Sequence, residues 1–180
     1  ATTGFIFTER MKLDLLDMEK LGYTRQQAQA QLTKVAADEI RNSLSARTQY
    51  MSLWKRSGVN VASSTYSAGT ALEKSFTSAA EGIAQARGYI DALEGELQLI
   101  LTSKDIEHVY ASGKRGIILD FQDTLPFGND LTKIEYFYNL GLRVVQLTYN
   151  LRNLVGDGCT ERYKTGLTYF GQTVVEKLVA

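Results

Sequence analysis

The chain has 180 residues, enough for a sizeable core. Lys plus Arg balances Asp plus Glu at 20 each, so no global charge points to nucleic acid or to an anionic membrane surface. No apolar run approaches the roughly 18–20 residues of a membrane span, and the single Cys159 and single His108 exclude an intrachain disulfide and a zinc site built from Cys and His alone.

Residues 1–9 read as a strand end or loop around the apolar Phe5, Ile6 and Phe7. Residues 10–22 read as a helix, with Leu13, Leu15, Leu16 and Met18 near one face. Thr24 followed by Gln27 is a capping-box signature and opens a long helical pattern that runs to Ser57. Ser43 to Ser45 marks a break within it, and Gly58 closes it. Val59 to Tyr66 reads as a strand, about Thr70 to Leu93 as a long helix, and Leu97 to Leu101 as a short buried strand. Thr102 to Asp105 has capping character ahead of a helix over Ile106 to Ser112. Gly116 to Phe121 is the next strand, Leu131 to Leu140 the next helix, and Arg143 to Tyr149 a further strand. A polar, glycine-containing loop follows, and a last helix starts near Thr168.

From Val59 onward, strands with continuous apolar runs alternate with helices, the pattern of a parallel sheet in an α/β fold. No repeat, low-complexity stretch or linker divides residues 1–180, which read as a single domain: a mainly helical segment over 1–57, then strand–helix units over 58–180. No charged segment followed by an apolar one marks a secretory leader.

In parallel α/β folds, ligands gather at the carboxyl ends of strands. Three such ends are polar here: Ser63, Ser64 and Thr65; Asp120, Gln122 and Asp123; Gln146, Thr148, Tyr149 and Asn150. They are expected to share one rim. Strand alternation puts Asp120 and Gln122 on one face and Asp123 on the other, which weakens any paired-carboxylate mechanism. Tyr149 offers a phenol hydrogen bond to a substrate carboxylate or oxyanion, or is a plain amphipathic rim residue. Asn150, Asn153 and Asp157 read as organisers of the long loop. Cys159 has no base nearby in sequence to activate it, and His108 reads as a helix surface residue. No dinucleotide fingerprint, P-loop, HExxH or EF-hand pattern occurs.

The stretch GIILDFQDTLPFGNDLTKIEYFYN, continued by LGLRVVQLTYNLRNLVGDGCTER and GLTYFG, resembles the membrane (renal) dipeptidase family of zinc peptidases. The likeness continues back through GELQLILTSKDIEHVYASGK and SGVNVASSTYS, to about residue 52. It implies a (β/α)8 TIM-like barrel that hydrolyses dipeptides at a binuclear zinc centre, often as a homodimer, in a chain well over about 300 residues long. Residues 1–180 would then hold about the first half of such a barrel, and the exposed strand edges would need the remainder of the barrel as a partner.

The family's His-x-Asp motif at the first strand has no counterpart here. Its bridging glutamate aligns with Gln122, a substrate-contacting histidine aligns with Tyr149, and its two remaining metal histidines would lie beyond Ala180. Gln122 then reads as a pocket residue in place of the metal bridge, against the plainer reading of a strand end capping its loop. The resemblance makes Gln122 and Tyr149 the candidate catalytic residues and Asp120, Gln122, Tyr149 and Asn150 the candidate substrate contacts, with no metal ligand in this chain. The expected protein is a dipeptidase-family barrel with a remodelled or lost zinc site that acts on or binds a small peptide-like substrate. A genuine zinc dipeptidase is the first alternative. A non-catalytic accessory protein of a biosynthetic or peptide-maturation pathway is the second. The expected compartment is the bacterial cytoplasm or periplasm.

Overall fold

A computed structural model describes residues 19–22, 24, 38–66, 72–93 and 95–180. The helix expected over 10–22 and the capping box at Thr24 and Gln27 fall largely outside them. The described elements are α1 (Leu44–Ser57), β1 (Val61–Thr65), α2 (Leu72–Ala92), β2 (Leu97–Leu99), α3 (Ser103–Ser112), β3 (Arg115–Phe121), a 3-10 turn (Leu125–Phe127), α4 (Thr132–Asn139), β4 (Leu142–Val145) and α5 (Tyr169–Val179).

The helix punctuation follows local chemistry. Residues 38–42 are helical, and the pattern breaks at Ser43, whose extended backbone lets its hydroxyl accept from the Ala46 amide and start α1 afresh. Gly58 ends α1 at φ 74°, a left-handed turn that favours glycine. Thr168 caps α5 by accepting from the Gly171 amide.

The chain divides into two compact units. The first comprises described residues up to Ala62, with Gln85–Gln98 and Lys104–Ile117. Its buried side chains include Met51, Trp54, Ala86, Tyr89, Leu97, Val109 and Ile117. Trp54 satisfies its ring N–H on the Val59 carbonyl at 2.9 Å. The start of β3 pairs on both edges: the Gly116 amide donates to Asn60, and the Arg115 amide to Glu96.

The second unit comprises Ser63–Ala84, Leu99–Ser103 and Ile118–Ala180. Here the end of β3 runs parallel to β4, with Leu119 opposite Leu142, Asp120 opposite Val144 and Phe121 opposite Val145. The sheet order is β1-β3-β2, with β4 also on β3. Peptide groups of even-numbered β3 residues face β1, and those of odd-numbered residues face β2 at the start and β4 at the end, because a strand has only two edges. Parallel strands alternating with helices are the expected α/β class.

An aromatic cluster anchors the end of β3. Phe137 on α4 is fully buried, with its ring centroid 4.8 Å from Phe121, 5.4 Å from Phe76 and 6.1 Å from Phe127. Leu119 and Phe121 thus point to the apolar side of β3. Alternation turns Asp120 to the opposite face.

The last strand is shorter than its β-branched run suggested. It stops at Val145 rather than Tyr149. The Gln146 amide still donates to the Phe121 carbonyl, but β3 then turns away: Asp123 accepts from the Leu125 amide, and Pro126 enters the 3-10 turn. Among the described residues no strand partner continues beyond Phe121, and the Leu147 carbonyl bonds instead to the Thr124 hydroxyl and the Asn153 amide.

Candidate functional site

The polar ends of β1 and β3 meet directly. Ser63 and Thr65 lie two residues apart on β1, so their hydroxyls share a face. Ser63 donates to Oδ2 of Asp120, and Thr65 donates to Oδ1 at 2.5 Å. The Tyr66 amide adds a bond to the Asp120 carbonyl at 2.9 Å. Asp120 is 9% exposed, so this is a buried carboxylate with each oxygen held by a hydroxyl. Ser64 turns the other way, buried, and donates to the Tyr66 hydroxyl.

Gln122 follows immediately after β3, half-buried, where the strand gives way to its loop. Asp123 has a different job. Its Oδ1 accepts from the Leu125 amide at 3.1 Å and shapes the turn. Burial pushes its carboxyl above the ordinary value of 3.8, with the Leu125 bond opposing.

The third cluster is placed by its loop. The Cys159 amide donates to the Tyr149 carbonyl at 2.7 Å, and the Thr160 amide to the Asn150 carbonyl at 3.0 Å. The Cys159 thiol donates to Asn150 Oδ1 at 3.3 Å. Tyr149 and Asn150 are exposed, and their backbone is held. Gln146 donates its side-chain amide to the Thr148 carbonyl.

Asn153 and Asp157 organise the loop as expected. Asn153 accepts from the Val155 and Gly156 amides and donates to Thr124 Oγ1 and the Leu147 carbonyl. Asp157 accepts from the Thr165 amide and hydroxyl and from the Gly166 amide, and pairs with Arg152 at 2.5 Å. The Thr165 amide is the main cause that holds its carboxyl below the ordinary 3.8, aided by the Thr165 hydroxyl, the Gly166 amide and the Arg152 charge, with desolvation opposing. Two residues of this framework escape a sequence reading. Thr124 looks like an ordinary loop residue, and Gly158 looks like a turn glycine. Their contacts come from partners 23 and 8 positions away.

The family model for membrane dipeptidases (peptidase family M19) matches residues 12–179. The chain belongs to the membrane dipeptidase family. The match takes in most of the helical segment ahead of residue 58, which the quoted motifs alone leave unplaced. A solved amidohydrolase from Pseudomonas aeruginosa is similar at 29% identity and TM-score 0.62, over 69% of this chain and 37% of that one. The probable dipeptidase PvdM from Pseudomonas aeruginosa shares the fold at 17% identity and TM-score 0.52, over 59% of this chain and 28% of that one. This chain therefore spans little more than a third of the length of the solved amidohydrolase.

Family hydrolases are in general zinc-dependent. A bridging ligand shares negative charge between two cations, and Gln122 supplies only a neutral amide oxygen. Each oxygen of the Asp120 carboxylate accepts one hydroxyl bond and keeps a further acceptor site. Among the described residues, no group of three or more His, Cys, Asp or Glu side chains is placed to hold a metal ion. Also among the described residues, no helix is long and apolar enough to cross a membrane.

Proposed function

We infer that this chain is the substrate-facing part of a dipeptidase-family (β/α)8 barrel whose zinc pair is remodelled or lost, and that it binds or acts on a small peptide-like substrate at the ends of β3 and β4. The observation that supports this most is Gln122. It stands just past the strand end where the family resemblance puts a bridging carboxylate, and the nearby Asp120 carboxylate is hydrogen-bonded to β1. A dipeptide carries an ammonium, a carboxylate and one peptide group. Gln122 offers both a donor and an acceptor to the peptide group, Tyr149 offers a phenol donor to a carboxylate, and Asn150 offers a second amide. Asp120 contributes by holding β3 against β1 just before Gln122. The family resemblance further implies a homo-oligomer built on the complete barrel.

The test is elemental analysis of the full-length protein purified without chelator, alongside alanyl-alanine hydrolysis and binding. Binding without stoichiometric metal supports the remodelled site. Two zinc ions per chain together with hydrolysis would refute it and establish a zinc dipeptidase that tolerates Gln122.

A further inference from the structure

We propose that Gly158 is a positioning residue for the Tyr149–Asn150 segment, setting the ligand-facing end of β4 by a backbone contact that only glycine permits. This rests on the reading of Tyr149 and Asn150 as ligand-facing. Among the described residues β4 ends at Val145, and the segment beyond it is held by other backbone bonds. The turn over residues 157–160 supplies them. A Cβ built on buried Gly158 would overlap the Asn150 carbonyl and crowd the Leu151 backbone. The φ of Gly158 is not among the positive ones, so the requirement is space rather than backbone conformation. The absent side chain lets the next two residues bond back: Cys159 to the Tyr149 carbonyl, and Thr160 to the Asn150 carbonyl through both its amide and its hydroxyl.

The turn is itself stapled. Asp157, immediately before Gly158, is held by Arg152, Thr165 and Gly166, and the Glu161 carboxylate accepts from the Arg152 amide. Displacement of this turn therefore moves Tyr149 and Asn150, while the aromatic anchor of β3 has no part in it. Gly95 is the control: an added Cβ there meets nothing within 4 Å, and its φ is not among the positive ones.

The test uses the full-length protein with two readouts. Alkylation of Cys159 by iodoacetamide, followed by peptide mass mapping, reports the turn without any ligand, because the thiol sits on Asn150 and is exposed. Calorimetric binding of alanyl-alanine reports the rim. Gly158→Ala is expected to change the Cys159 alkylation rate at least about threefold and to weaken dipeptide binding roughly tenfold, which is about 1.4 kcal/mol. Gly95→Ala should do neither. Thr160→Val, which removes one bond and keeps the backbone, should shift both readouts the same way by less, and it decides the matter if Gly158→Ala does not fold. An unchanged alkylation rate in Gly158→Ala, or an equal response in Gly95→Ala, overturns the positioning role. A changed rate with unchanged binding overturns the ligand-facing rim and leaves the turn as scaffold.

Discussion

Removal of the Asp120 carboxylate should expose how the β3 end is held. In Asp120→Ala the hydroxyls of Ser63 and Thr65 lose their shared acceptor, in a place where Asp120 is only 9% exposed. A hydrogen bond to a charged group contributes about 1.5–3 kcal/mol, and two on one carboxylate do not add fully, so a loss of about 3 kcal/mol is expected. The readout is the urea midpoint of the full-length protein at constant slope. Truncation also creates space, so the stronger test is a double-mutant cycle with Thr65→Val. If the Thr65 bond at 2.5 Å contributes as argued, the two substitutions should be less than additive by about 1–2 kcal/mol. Additivity within about 0.3 kcal/mol would refute the latch, since independent sites behave that way.

Three further outcomes are expected. Phe137→Ala empties the centre of the ring cluster of Phe76, Phe121 and Phe127 and should cost about 3–5 kcal/mol in denaturant unfolding, with β3 and α4 losing hydrogen-exchange protection first. Asp157 has a lowered carboxyl pKa in the folded state, so its contribution is present above the ordinary value of 3.8 and is lost as pH falls below that towards the lowered one. Amide exchange at Thr165 and Gly166, corrected for intrinsic rate, should therefore accelerate on acidification from about pH 5 to pH 2, and Asp157→Asn should flatten that response. Gln122→Glu restores an anionic donor at the β3 end and should raise the zinc retained after dialysis of the full-length protein, measured by elemental analysis. An unchanged metal content would mean that this position does not govern metal binding.

Much of the fold is local and so could be read along the chain. Ser43, Gly58 and Thr168 punctuate helices through bonds to groups within three residues, and the sequence alone places them. The apolar run of β3 is equally legible, because a buried parallel strand needs continuous apolar residues, whereas β2 stops at Leu99 rather than at the expected Leu101. The family likeness also resides in sequence, and the family model matches residues 12–179. Tertiary structure alone decided the rest. Asp120 is a strand-end carboxylate on paper, and becomes a buried latch only because β1 brings two hydroxyls from 55 and 57 positions away. β4 ends at Val145 although strand-type residues continue to Tyr149, because a strand lasts only as long as its partner, and β3 has turned aside at Asp123. Gly158 looks like any turn glycine until Asn150 passes over it. Caps and periodicity depend on a few neighbouring residues, whereas strand length, carboxylate partners and close backbone approach depend on what the rest of the chain brings alongside.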